Sequence, residues 1–404
     1  MQGKVMFKRA ATLLLISFLL LVLSCPSTPE QANVQPVVNA ANFFRDNGIK
    51  TGINIGNSLD AYGSGVSSET KWGNPSLNQN LFNGIKAAGF DIVRIPVTWM
   101  GHIGPAPDYT IDPDFLNRVA EIVGYAHNAG LFTIINLHND GSTANTTQED
   151  GWLSINKALA GQESDITAKF GTIWEQIAVK FRDEGEYLMF EAFNELHDGN
   201  GYTAGREVPA DQIALLNKWT QVFTDSVRKE GGENASRFLI IPAYCSGPEA
   251  LYSGGFTLPN DSVPGKQIVT FHYYRPENFA LYGNLAVWGT SDEKAAIDTL
   301  FSTIKEYYTD KNIPVIIGET GPVRNVSPSG DQNRLAYISY MFGAAKNNGF
   351  VPVYWDNGSF NRNGNGFGLF NRTTGKPQTD EFDLVIHSMI SATGTGNDNT
   401  ARVR

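Results

Sequence analysis

Only two of the 404 residues are cysteines, Cys25 and Cys245. That excludes an internal disulfide framework, so stability has to come from a packed core. Cys245 closes the run RFLIIPAYC with no histidine near it in sequence, the setting of a packed thiol and not of a nucleophile. Basic residues are sparse too: 31 Lys and Arg stand against 41 Asp and Glu, the formal charge is −10, and no basic run follows the first nine residues. No nucleic-acid partner is expected, and an uncharged or cationic ligand fits better. There is no His-Glu-x-x-His, and the six histidines are scattered, so neither a metal nor another cofactor is expected. A Gly-x-Ser-x-Gly elbow is missing. The glycines of NGNGFGLF have the wrong spacing and context for a dinucleotide loop and read as a flexible loop after the last strand. No repeat of solenoid period is present.

What is present begins with a targeting segment. Lys4, Lys8 and Arg9 precede the apolar stretch 10–23, which is short for a membrane span and is followed by LSCPS. Residues 1–24 resemble a bacterial lipoprotein signal, with cleavage before Cys25 and lipidation of that cysteine, although Val22 and Leu23 depart from the commonest form. The alternative is an ordinary cleaved signal and a secreted protein. On either reading the mature chain leaves the cytoplasm. Residues 25–41, rich in Pro, Ser and Gln, read as a tether, 42–391 as one catalytic domain, and 392–404 as a disordered tail.

Within the domain, short β-type runs alternate with longer helical patterns. Eight strands read as TGINIGNS, DIVRIPV, LFTIINLH, YLMFEAFN, RFLIIPAY, QIVTFHYY, PVIIGET and FVPVYWDNG. Apolar residues spaced three and four mark helices over 77–89, 113–130, 165–182, 211–231, 292–310, 332–349 and 380–391. The segment after the fifth strand is short and glycine-rich and gives the weakest helix. Gly89, Gly130 and Gly349 sit where a helix must turn tightly into the next strand. Eight parallel strands with intervening helices close most naturally into a single-domain (β/α)8 barrel. A doubly wound open sheet is disfavoured because no Gly-rich phosphate loop follows the first strand and polar residues end nearly every strand.

In such a barrel the loops after the strands form the active face. The strand ends carry Asn54 and Asn57, Arg94, His138, Asn194 with Glu195, Tyr244, His272 with Tyr274, Glu319, and Trp355 with Asp356. These residue types recognise sugars and move protons. Glu195 ends the fourth strand and Glu319 the seventh, so the two should face each other across the mouth. Glycosidic cleavage needs that pairing: one carboxylic acid protonates the leaving oxygen while a carboxylate attacks or stabilises the anomeric carbon. A carboxyl separation of about 5–5.5 Å would make the reaction retaining. Arg94 and Tyr274 beside Glu319 favour an ionised nucleophile, and a second carboxylate beside Glu195 favours a retained proton. The internal Glu191 is left as an inward or helix-facing carboxylate with a structural partner.

These motifs resemble glycoside hydrolase family 5, a clan of retaining (β/α)8 enzymes, and are most similar to its subfamily 4 of endo-β-glucanases and xyloglucanases. The likeness runs from about residue 42 to 391. It rests on Arg94 in VRIPVTW, His138 in INLH, Asn194 and Glu195 in FNEL, His272 and Tyr274 in FHYY, Glu319 in IGETG and Trp355 in VYWDNG, with GINIGNSLDA, KWGNP, HYYRPENFA and WDNGSF pointing to the subfamily. It implies an acid/base at Glu195, a nucleophile at Glu319, and Asn194 holding the 2-hydroxyl of the sugar being cleaved. The sequence has LHND where the subfamily usually has a second histidine, so Asn139 stands at a sugar-binding position with altered preference. Thr320 is likewise a smaller neighbour of Glu319 than usual.

Of the seven tryptophans, Trp174 and Trp219 fall in helical patterns and read as core, whereas Trp72, Trp152 and Trp288 fall on loops and are candidate sugar platforms beside Trp355. The Asn-, Tyr- and Gly-rich loops suit an open cleft and internal chain cleavage, with 139–165 the only loop long enough to block it. The reading is a monomeric, lipid-anchored, retaining endo-β-1,4-glucanase acting on cellulose, mixed-linkage glucan or xyloglucan. A mannanase or xylanase on the same scaffold is the alternative within hydrolases, and a non-catalytic glycan-binding lipoprotein the alternative outside them.

Overall fold

A computed structural model describes residues 40–141, 151–201 and 206–394. The expected signal segment, Cys25, most of the tether, the tail beyond residue 394 and the middle of the loop at 139–165 lie outside the described residues.

The eight expected strands form, in chain order, β1 (Gly52–Asn54), β2 (Ile92–Ile95), β3 (Phe132–Asn136), β4 (Leu188–Glu191), β5 (Leu239–Pro242), β6 (Gln267–Tyr273), β7 (Val315–Thr320) and β8 (Phe350–Tyr354). All pair in parallel with their neighbours, and β8 returns to β1, closing a barrel. Closure rules out the doubly wound sheet. A small hairpin, Tyr62–Gly63 with Val66–Ser67, stands apart in the loop after β1.

A seven-residue helix that the sequence pattern did not single out, α1 (Ala40–Asp46), precedes β1. Its Phe43 and Phe44 are buried in one cluster with Ile92, Ile134, Met189, Phe238, Ile240, Ile268 and Ile316, the lower inward residues of the strands. Phe43 meets Phe238 at 4.6 Å and Phe132 at 5.3 Å between ring centroids. The helix thus closes the barrel floor, and burial of each phenyl ring contributes about 2–3 kcal/mol. The folded unit therefore takes in Ala40 and Ala41, which the composition had assigned to the tether.

The remaining main helices are α2 (Gln79–Ala87), α3 (Pro113–Asn128), α4 (Glu163–Lys180), α5 (Ala210–Lys229), α6 (Ser291–Tyr307), α7 (Asp331–Asn347) and α8 (Asp380–Thr393). Their starts follow cap chemistry: Asn78 and Asp112 accept from backbone amides of α2 and α3, and Thr290 with Glu293 forms a capping box on α6. Gly89 (φ +102°) and Gly130 (φ +74°) make the expected left-handed turns into β2 and β3. After β5 only single helical turns occur, Tyr244–Ser246 and Glu249–Leu251. Trp174 and Trp219 are fully buried, as their helical pattern required.

Each end of the described unit is tied to the floor. The Ala40 amide donates to the Gly265 carbonyl just below β6 (2.8 Å), and Lys50 Nζ donates to the Gly394 carbonyl (3.0 Å). Among the described residues, no helix is long and apolar enough to cross a membrane.

Candidate active site

The upper interior of the barrel is polar. Asn54 on β1, Arg94 on β2, Asn136 on β3 and Glu191 on β4 all point inward and are fully buried, and their groups satisfy one another. Arg94 is the hub. Its Nη1 donates to Glu319 Oε1 (2.8 Å) and Asn54 Oδ1 (3.0 Å), its Nε to Glu191 Oε2 (2.8 Å), and its Nη2 to Asn194 Oδ1 (2.8 Å). Burial opposes its charge, but Glu191 and Glu319 hold the guanidinium above its ordinary pKa. Glu191, unexplained by its position in the sequence, is the second anion on that cation and also accepts from Asn136 Nδ2 (2.8 Å).

Glu319 reaches the mouth through a register shift. Along the β6–β7 seam Phe271 faces Ile317, but His272 faces Glu319, so Gly318 is an extra residue in β7. Such a bulge re-aims the side chain that follows it. Glu319 Oε2 then accepts from the Tyr274 hydroxyl (3.2 Å). Burial raises the pKa of Glu319, His272 and Arg94 pull it down, and Glu195 adds to the rise. The neighbours expected to favour ionisation are therefore in place, working against desolvation.

Glu195 lies four residues past the end of β4, with its side chain 39 % exposed toward the mouth. Its Oε1 lies 2.5 Å from Nδ1 of buried His272. Burial raises its pKa, with His197 and Arg94 opposing. Of the two glutamates at the mouth, only Glu319 has Arg94 in direct hydrogen-bond contact, which favours its ionised form. One oxygen from each glutamate and a ring nitrogen of His272 lie within 4.8 Å of one another. Such a cluster can ligate a cation, but the guanidinium already compensating Glu319 makes it a poor metal site.

The histidines are held neutral. Burial pushes His272 down to about 4 against the pull of Glu319, and burial, Arg94 and His272 all push His138 well below the ordinary imidazole value. His138 Nδ1 accepts from Asn136 Nδ2 (3.2 Å), leaving Nε2 to carry the proton 3.9 Å from Glu319. The His138 ring is parallel to the half-buried Trp355 indole, 6° between planes. With Oδ1 of Asn194 on Arg94, its amide nitrogen is the group turned to a ligand.

The other expected binding residues divide. Trp72 is an exposed indole (44 %) whose Nε1 is fixed by the Tyr62 carbonyl at 2.8 Å, a geometry suited to sugar stacking. Half-buried Trp152 is anchored to Asp140 Oδ1 (2.7 Å), with Lys169 over its ring. Trp288 is not a platform: it is 5 % exposed, packed among Phe279, Tyr337 and Tyr340, because the segment after β6 folds back over α7. Asn57 occupies a left-handed turn (φ 56°) and its carbonyl accepts from Asn74 Nδ2. Asn139 spends its amide nitrogen on the Asp60 carbonyl (3.0 Å). His197 accepts from the Gly199 and Gly201 amides and braces its own loop. Beside Trp355, sequence reasoning missed the buried pair Asp356–Arg372 (3.0 Å); the signal available was Asp356 itself, two residues past the strand. Cys245 is a half-buried thiol whose pKa burial pushes up, consistent with packing.

A closed (β/α)8 barrel presenting two carboxyls, one on arginine and one on a neutral histidine, defines a glycoside hydrolase. Residues 59–361 match the family model described as cellulase, glycosyl hydrolase family 5, and the chain belongs to that family. It is 34 % identical over 369 residues to endoglucanase A of Paenibacillus barcinonensis, covering 86 % of this chain and 89 % of that protein. Among solved structures, a cellulase of family 5 from a member of the Bacteroidetes, described as linked with a polysaccharide utilization locus, superposes with a TM-score of 0.84 at 36 % identity, covering 90 % of this chain and 96 % of the other. A broad specificity endoglucanase of subfamily 4 from Bacteroides salanitronis gives 0.79 at 40 % identity, covering 86 % and 94 %.

Proposed function

We propose that the chain is an endo-β-1,4-glucanase that hydrolyses β-glucans by double displacement. The likeness to endoglucanases supports the activity, and the approach of Glu195 and Glu319 within 4.8 Å is the observation that carries the mechanism. Glu319, on Arg94 and Tyr274, attacks the anomeric carbon, while Glu195 protonates the departing oxygen. The glycosyl ester on Glu319 is then opened by a water whose proton passes to Glu195, and the product keeps the β configuration. Asn194 donates to the hydroxyl beside the anomeric carbon, and His138 with Trp355 forms the wall of that subsite.

The test is proton NMR of a cello-oligosaccharide digest before mutarotation: β anomer first is expected, and α anomer first overturns the mechanism. Initial rates on carboxymethyl cellulose, lichenan, xyloglucan, mannan and xylan address the substrate, and a preference for mannan or xylan would replace the glucanase reading. An inactive protein that retains glucan would instead support a binding lipoprotein.

We also propose export and anchoring through a lipid on Cys25, supported by the basic, apolar and LSC pattern of residues 4–25. Labelled palmitate should enter the wild-type chain and not Cys25→Ser. Equal labelling of both, or none, sinks the anchor.

A further inference from the structure

Among the buried polar atoms with no hydrogen-bond partner are two on β6, Thr270 Oγ1 and His272 Nε2. They belong to one strand, two positions apart, and so share its inward face. Both border the same spot. A β-carbon on Gly318 would lie 2.7 Å from Thr270 Oγ1 and 3.1 Å from His272 Nε2. Gly318 is the bulge residue of β7, so the absence of a side chain there leaves the hydroxyl and the ring nitrogen facing one bare Cα. Buried polar atoms that stay unpaired cost about 1–3 kcal/mol each, and two with complementary chemistry at one spot can satisfy each other through a single water or a small side-chain rotation.

We propose that Thr270 is a positioning residue that orients His272, and through it Glu195, by a hydrogen bond to Nε2. This rests on the acid/base role proposed for Glu195. A neutral imidazole carries one N–H and one lone pair. While Glu195 is protonated it donates to Nδ1, and the proton on Nε2 needs an acceptor. When Glu195 is a carboxylate, Nδ1–H donates to it, and Nε2 needs a donor. A hydroxyl serves as either, which neither a carbonyl nor an amide nitrogen does, so Nε2 is matched in both protonation states of the acid/base. The charged and titratable groups facing this ring are Glu195 and Glu191 from β4 and its end, Arg94 from β2, His138 after β3, Glu319 from β7 and Tyr274 from its own strand. Among the described residues none of these groups hydrogen-bonds Nε2, and the Thr270 hydroxyl is the complementary group bordering the same spot.

The experiment compares Thr270→Val, which keeps the shape without the hydroxyl, with Thr270→Ser, which keeps the hydroxyl. For Val, kcat on cello-oligosaccharides should fall about tenfold with KM nearly unchanged, and the basic limb of kcat/KM should shift by about half a pH unit or more. Ser should stay within about threefold of wild type on both counts. Wild-type behaviour of Val, or equal loss in Val and Ser, overturns the proposal, the second outcome assigning Thr270 to packing. If Val does not fold, 15N NMR of the wild-type His272 ring decides: Nε2 should show a hydrogen-bonded shift that moves as Glu195 titrates, and a free, pH-invariant Nε2 overturns the proposal. Glu195→Gln, assayed beside them, separates the two readings. If it retains activity the acid/base assignment fails, whereas if it is inactive while Val is normal only the role of Thr270 fails.

Discussion

Glu191 and Glu319 share a single guanidinium, Arg94 lying 2.7 Å from the first and 2.8 Å from the second. The positive charge is thus divided between a carboxylate closed inside the barrel and one that opens to the cleft. Glu191→Gln removes the inner claim. The mechanism needs Glu319 ionised, so activity is lost as pH falls through its pKa, and stronger pairing with Arg94 lowers that pKa. The acidic limb of kcat/KM should move down by roughly one pH unit. An unmoved limb, measured on a soluble cello-oligosaccharide, would mean that Arg94 does not set the charge of Glu319.

Glu195 governs the opposite limb. Burial raises its pKa, and its first task requires the proton, so activity should fall as pH rises through that pKa. Glu195→Gln should lose that limb and about 10²–10⁴-fold in kcat on polymer. An aryl cellobioside whose leaving group needs no proton should still glycosylate Glu319, and intact-mass measurement should find the glycosyl-enzyme accumulating.

Gly56 lies under the indole of Trp355, where a β-carbon would come 2.6 Å from the ring. Gly56→Ala should therefore tilt Trp355 away and raise KM for cello-oligosaccharides several-fold while changing kcat less. Kinetics identical to wild type would show that the indole face is not a subsite wall.

Two tryptophans that look alike in sequence should part company. Trp72→Ala should raise KM on long glucans about fivefold, the loss of ~1 kcal/mol of stacking, and leave the melting temperature in place. Trp288→Ala should cost about 3–5 kcal/mol of stability and leave KM alone. Thermal melts and initial rates on both variants test the pair together.

Most of the fold was legible because the apolar period switches between two and three-to-four residues eight times over, with glycine turns at the switches. The mouth was legible for a related reason: Asn, Glu, His and Arg at the ends of apolar runs have few structural uses. Other features depend on distance in space. Arg94 and Glu191 are 97 positions apart, and nothing local to FEAF announces that its glutamate meets an arginine from β2. Trp288 looked like a rim residue because loop membership does not reveal which loops fold back over a helix. The seven residues AANFFRD are too few for a periodic pattern, so the helix that seals the floor merged with the polar stretch before it. Gly318 is a bulge residue only by virtue of the β6–β7 register, which no local pattern in PVIIGET encodes.

The hydrogen bond between Lys50 and Gly394 carries a practical corollary. It brings the last helix back to the threshold of β1, on the side of the barrel turned away from the cleft. The described domain therefore ends on the floor at both termini, Ala40 under β6 and Gly394 beside the start of β1. Cargo can be spliced to either terminus on that face without crossing the path of a polysaccharide.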